Sequence, residues 1–215
     1  MTPATVVGLD ACRGRWLAVV LEDGTFVDAR IGSAAALVAV RPDAVAIGVD
    51  IPIGLPDAPL RDADRAARGF VGERRSSVFA TFPQSVLETQ TYDEAKALCV
   101  SRCWPKPSIQ SYGMRHRILE IAALAEADER VIEVHPEVSF RELAGRELPP
   151  KRSGPGAAKR RMALAEAGIR LPKLSYPEDD VLDAAVVAWT ALRYARGTAL
   201  PLPEGNRSRI GPIWR

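Results

Sequence analysis

The feature that most constrains how this chain folds is a short phrase that ends two apolar runs. Gly8-Leu9-Asp10 closes the run from Thr5, and Gly48-Val49-Asp50 closes the run from Ala44. The second run is continuously apolar, the pattern of a strand buried on both faces. Alternate side chains of a strand share a face, so each Asp lies on the face of its own glycine, which reads as open space beneath the carboxylate. If the two strands are parallel neighbours, both acids emerge at the carboxyl edge, where open α/β sheets place their ligands. A third acidic set, Asp180 and Asp183, stands at the head of an Ala-rich helical pattern, and its i, i+3 spacing puts both acids on one helical face. Carboxylates gathered in one place repel one another unless a cation neutralises them, so the three sets predict a divalent-metal site.

The rest of the pattern builds a sheet around those two strands. Thr5 to Asp10, Arg15 to Leu21 and Thr25 to Ile31 read as an antiparallel meander, with turns at Arg13-Gly14 and Glu22-Asp23-Gly24. Ser33 caps a short helix reaching Val40, and the strand Ala44 to Asp50 returns beside the first. Arg130 to His135 is a fifth strand, and helices follow over Pro136 to Ala144, Gly156 to Ala167 and Glu178 to Arg196. Between the fourth and fifth strands lies an insertion, about 51–129, with helical stretches near Leu60 to Phe70, Tyr92 to Cys103 and Tyr112 to Ala127. Its position directly after Asp50 makes it the roof of the site. The tail, 198–215, turns apolar at Ile210, Ile213 and Trp214 and is expected to pack down. The whole is expected to be one domain, 1–215, an α/β fold with a five-stranded mixed sheet flanked by helices.

Composition removes several alternatives. Lys and Arg number 29 against 27 Asp and Glu, so the net charge of +2 names no partner, and any basic patch must be local. Cys12, Cys99 and Cys103 are too few and odd in number for a secreted disulfide scaffold. No apolar run approaches about 18 residues and no signal-like segment opens the chain, so the expectation is a soluble, cytoplasmic protein without membrane contact. Cys99 and Cys103 are read as core thiols rather than as zinc ligands with His116, because no second ligand pair with zinc spacing is present.

A three-stranded meander followed by helix, strand, helices, strand and a late acidic helix resembles the ribonuclease H-like fold. That resemblance implies two Mg2+ (or Mn2+) ions held by Asp10 on the first strand, Asp50 at the end of the fourth, and Asp180 and Asp183 on the last helix. The segment Glu178-Asp-Asp180-Val-Leu-Asp183-Ala-Ala185 is also similar to the final-helix motif of bacterial Holliday-junction resolvases, members of the same superfamily. Four longer phrases narrow the likeness: Gly8-Leu-Asp10-Ala-Cys-Arg13-Gly14-x-Trp16, Asp50-Ile-Pro52-Ile-Gly54-Leu-Pro56, Arg75-Ser76-Ser77-Val-Phe79, and Glu133-Val-His135-Pro136-Glu137-Val-Ser139-Phe140. Together they resemble domain-of-unknown-function family 429, described as predicted ribonuclease H-like nucleases, from Gly8 to about Ala191.

Other residues have a functional and a structural reading side by side. Glu178 and Asp179 are first-turn acids that complement a helix dipole. Asp183 lies further inside its helix, beside Ala184 and Val187, where an unpaired carboxylate is costly. Glu137 reads as an accessory metal ligand and His135 as a proton-transfer group, against a capping role around Pro136. Arg75, Ser76 and Ser77, with Lys151, Lys159 and Arg160 of the basic run Lys151-Arg152-x-Gly154-Pro-Gly156-x-x-Lys159-Arg160-Arg161, read as phosphate contacts.

The expected function is hydrolysis of nucleic-acid phosphodiesters through a two-metal carboxylate site, with DNA and RNA both open as substrate and a homodimer left open. The alternative is a non-catalytic nucleic-acid or protein binder on the same fold. A sugar-kinase or actin-like ATPase is disfavoured, because Asp10 is followed by Ala11-Cys12-Arg13 rather than a phosphate hairpin, and the chain has room for one such domain.

Overall fold

A computed structural model describes residues 3–151 and 153–215. The antiparallel strands β1 (Thr5–Cys12), β2 (Arg15–Glu22) and β3 (Thr25–Gly32) are joined by tight turns. Gly14 and Gly24 adopt positive φ of 82° and 90°, as two-residue hairpins demand. Helix α1 (Ala34–Ala39) follows, capped by Ser33 as expected, and leads to β4 (Ala44–Val49). After the insertion come β5 (Val131–Glu133), α7 (Pro136–Ala144), α8 (Gly154–Glu166) and α9 (Glu178–Ala195). The sheet order is β3-β2-β1-β4-β5, with β4 parallel to both β1 and β5. This is a five-stranded mixed sheet flanked by helices, an α/β arrangement of the ribonuclease H-like kind.

One face of β1 and β4 presents Val7, Leu9, Ile47 and Val49, and the other presents Val6 and Ala46. The first face is covered by the insertion and α1, the second by α7, α8 and α9. The insertion comprises α2 (Asp62–Val71), a 3-10 turn over Gly72–Ser77, and α3 (Gln84–Leu87), α4 (Tyr92–Ser101), α5 (Ile109–Gly113) and α6 (Arg115–Ala127). The expected helix from Tyr112 is divided at Met114 into α5 and α6, and α4 stops two residues before Cys103. Cys103 is therefore an exposed residue at positive φ, 54°, and not a core thiol, while Cys99 is buried as expected. The tail forms a short pair, β6 (Pro201–Leu202) and β7 (Ile213–Trp214), and Val134 bridges to Trp214, which fastens the tail beside β5.

The space beneath the two glycines is not open. A Cβ added to Gly8 would come within 2.1 Å of the Ala184 carbonyl oxygen and 2.3 Å of the Ala188 nitrogen. A Cβ on Gly48 would lie 2.9 Å from the Val187 carbonyl oxygen. Both glycines are thus the floor on which the backbone of α9 rests, and any side chain there would lift the helix from the sheet.

This contact makes a sharp prediction for two glycine substitutions. Gly8→Ala should lower unfolding free energy by about 3 kcal/mol or more, because backbone rather than a flexible side chain blocks the new methyl. Gly69→Ala, in α2 where nothing lies within 4 Å of the added carbon, should gain about 0.5–1 kcal/mol. Urea denaturation of both variants checks this, and a Gly8→Ala protein as stable as wild type would contradict the packing described.

Candidate metal centre

Helix α9 lies on the sheet with its acidic end toward the end of β1, so the helical period delivers its acids to the strand ends. Ala188 and Ala184 sit on Gly8, and one more turn back along that face is Asp180. Val187 sits on Gly48, and one turn back from it is Asp183. Asp10 and Asp50 lie two residues beyond their glycines on the same face of the sheet. The four expected acids therefore come together: Asp10 feels the charges of Asp50, Asp183 and Asp180, and Asp183 feels that of Asp50. Asp10 and Asp183 are buried at 7% and 2% exposure, whereas Asp50 and Asp180 keep some contact with solvent.

Burial, and then mutual repulsion, sets the protonation of this cluster. Asp10 is held well above the usual carboxylate range by desolvation first and by Asp50 and Asp183 next. Desolvation also raises Asp50, opposed by His135, by Lys151 and by a hydrogen bond with Asp10. Asp183 is pushed up to about 6 by desolvation, against the pull of Lys151. The Lys151 ammonium makes an ion pair with Asp183 Oδ2 and is raised by Asp183, Asp10 and Asp50 together. Its position depends on a tight loop: Ser153 N donates to the Pro150 carbonyl at 2.9 Å, and Gly156 leaves room for that same carbonyl. Cys12, on the same face of β1, has its thiol raised to about 11 by burial and by its hydrogen bond to Asp180.

The remaining expected residues are distributed less simply. Glu137 acts on Asp50 and Asp183 through space, but its carboxylate is held by Arg160 Nη2 at 2.7 and 2.9 Å. Arg160 is itself 1% exposed, donates to the Pro149 carbonyl at 2.7 Å, and lies over the Phe140 ring. Its guanidinium braces α8 against α7 and does not offer itself to a phosphate. Lys151 directs its ammonium to Asp183 while its side chain stays partly exposed, Lys159 is exposed on α8, and Arg152 lies outside the described residues. His135 is the residue before α7, and its Nε2 lies 3.2 Å from the Ser77 carbonyl oxygen, while its Nδ1 is buried without a hydrogen-bond partner among the described residues. His135, Ser77 and Asp50 line one small cavity of about 80 Å³, together with Phe79. Arg75 and Ser76 are exposed in the 3-10 turn that leads to it.

Sequence reasoning missed the group that holds the roof in place. Arg61, at the entrance to α2, grips Glu133 of β5 with Nη1–Oε2 at 2.8 Å and Nη2–Oε1 at 2.6 Å. It also holds Asp64 and the Ile53 carbonyl, while Asp64 accepts from the backbone and hydroxyl of Thr81. Nothing local couples Arg61 to a partner 72 residues away; only the i, i+3 spacing to Asp64 was visible.

The donor set fits a hard divalent cation in chemistry: Asp10, Asp50, Asp180 and Asp183 supply oxygen only, and a cation would relieve the repulsion that Asp50 and Asp183 exert on Asp10. Among the described residues, no three Asp, Glu, His or Cys side chains converge closely enough to hold one ion as they stand. Lys151 holds Asp183, so an ion and this ammonium compete for one carboxylate.

Fold and site together define a ribonuclease H-like α/β protein with an acidic cluster under its last helix. The chain belongs to the family described as "Protein of unknown function (DUF429)", whose model matches residues 8–207. No curated protein and no solved structure matches the chain. No helix among the described residues is long and apolar enough to cross a membrane.

The raised protonation predicts the direction of a pH effect. An acid whose folded pKa exceeds its unfolded value stabilises the fold fully below the unfolded value and loses that contribution as pH rises through the folded one. For Asp183 the window runs from 3.8 to about 6, and Asp10 moves in the same direction. With divalent ions chelated, the melting temperature of Asp10→Asn minus that of wild type should therefore grow from about pH 4 to about pH 7. A difference that stays constant with pH would contradict the clustering.

Proposed function

We propose that the protein is a divalent-metal-dependent phosphodiesterase acting on nucleic acid. The observation that carries this reading is the close seating of α9 on Gly8 and Gly48, which gathers Asp10, Asp50, Asp180 and Asp183 at the carboxyl edge of two parallel strands. Asp10 and Asp50 would hold Mg2+ or Mn2+ with Asp183 and Asp180. Such an ion, when bound, supplies an activated water and stabilises the charge that develops on a scissile phosphate.

The chain's own residues have complementary tasks. Asp10, the most central acid, is suited to bind on both sides of the cluster. Lys151, once released from Asp183, would leave a positive charge beside Asp10 and Asp50 that a scissile phosphate could meet. His135, which lines the same cavity as Asp50 and has an Nδ1 without a hydrogen-bond partner among the described residues, is a candidate to accept or return a proton. Arg61 and Glu133, which both line this cavity, tie the insertion to β5 beside it.

A second reading has its own observation. Lys151 neutralises Asp183 from within the chain, as a permanent counter-ion would in a binding protein that needs no metal. The two readings part on Lys151→Met. If the ammonium and a divalent ion compete, removing it should strengthen Mn2+ binding by about tenfold or more in calorimetry, since like charges at this range are worth on the order of 1–4 kcal/mol. A permanent counter-ion predicts a destabilised protein with no Mn2+ response.

Catalysis itself is tested on single-stranded, duplex and branched DNA and RNA in Mn2+. Asp183→Asn should retain binding through its basic residues yet lose cleavage by at least about a hundredfold, because the metal chemistry depends on this carboxylate. Wild type that binds but cuts none of these substrates, with Asp183→Asn behaving identically, would overturn the nuclease reading.

A further inference from the structure

Beside the small cavity that Asp50 lines, the insertion forms a larger groove of about 690 Å³. The two share a wall, since Val78 and Phe79 line both. Three cations reach the groove from three separate elements: Arg68 from α2, Arg75 from the 3-10 turn, and Lys106 from the loop before α5. Among the described residues that line it, none is acidic. Arg68 is held in place by its Nε, which donates to the Val78 carbonyl at 3.0 Å. Polar partners for base edges are present in Ser76 and Gln110.

Phe79 is unusual in this setting. The residue is 38% exposed and stands where the two cavities meet, which leaves part of an aromatic ring open to a stacking partner. A base inside a duplex has both faces covered by its neighbours, so an open aromatic ring can be covered only by a base that is out of the stack. The volume is that of a ligand-sized cleft, large enough for nucleotide units and too confined for a double helix.

We propose that this groove binds single-stranded nucleic acid, with a base stacked on Phe79 and the flanking phosphates met by Arg68, Arg75 and Lys106, so that the adjoining acids receive an unpaired strand. The inference rests on the nuclease reading for what happens at the acids, and it names the substrate class: unpaired strands, flaps or ends in preference to uniform duplex. It also accounts for the arrangement of the insertion, whose 3-10 turn brings Arg75 and Ser76 to the groove and Ser77 to the cavity beside Asp50.

The test is fluorescence anisotropy of the full chain with labelled single-stranded and duplex oligonucleotides, DNA and RNA, with divalent ions chelated so that nothing is cut. Phe79→Ala should weaken single-strand binding roughly tenfold and leave duplex binding unchanged, and Phe79→Trp should restore it. Arg75→Ala and Lys106→Ala should each reduce the slope of log affinity against log salt by about one unit. Phe79 is exposed, so its replacement leaves the core intact, and circular dichroism confirms the fold of each variant. Single-strand affinity that is absent in wild type, or equal in wild type and Phe79→Ala, overturns the groove assignment. Wild type that cleaves while Phe79→Ala binds and cleaves single strands equally removes the groove and leaves the nuclease reading standing. Phe79-dependent binding with no metal response and no cleavage does the reverse.

Discussion

The contact on which the rest of this structure depends is the backbone of α9 lying on two bare strand positions. Gly8 and Gly48 occupy the centre of a sheet, where a glycine forgoes side-chain packing and weakens the strand. The compensation is geometric. With helix and sheet this close, the 3.6-residue period of α9 and the two-residue period of β1 and β4 come into register over a short distance, and acids one step beyond each glycine come within electrostatic reach of acids one turn before the matching helical residues. A side chain at either glycine would lift α9 and draw Asp180 and Asp183 away from Asp10 and Asp50.

Gathering the acids has a cost that the structure meets with fixed charges. Buried carboxylates repel and lose hydration, which is why Asp10, Asp50 and Asp183 all hold protons more tightly than usual. Lys151 offsets part of that cost through Asp183, and Arg160 removes Glu137 from the competition by binding both of its oxygens. On the opposite face of the sheet, Arg61 binds Glu133 and Asp64, so that three charges are satisfied within one network that ties the insertion to β5. The roof is thereby fixed by buried ion pairs, while its outer rim is left open and basic.

Much of the fold was legible because its signals are local. The meander turns at Gly14 and Gly24, the Ser33 cap, Pro136 at a helix start and the apolar run before Asp50 all act within a few residues. The approach of Asp10, Asp50 and Asp183 to one another was also readable from strand alternation and helical spacing, although among the described residues no three acids converge on one ion position. The reason for the glycines was not: open space and a seat for a helix look alike until the helix is present. Nor could the sequence separate a basic residue facing solvent from one facing acids. Lys151, Lys159 and Arg160 stand in one run, yet the fold sends the first to Asp183, leaves the second exposed and buries the third against Glu137. Cys103 was misplaced for a smaller reason, because α4 ends at Ser101 and the chain turns through positive φ just beyond it.

The proposed function requires that the carboxylates which α9, seated on Gly8 and Gly48, brings toward one another take up a divalent ion. It is tested most directly by crystals of the full chain soaked in Mn2+, with anomalous scattering recorded at the manganese edge. The expected result is anomalous density in contact with Asp10 and Asp183, with the Lys151 ammonium moved away from Asp183 Oδ2. Crystals that diffract well, show no anomalous density among these acids at saturating Mn2+, and keep Lys151 on Asp183 would contradict it.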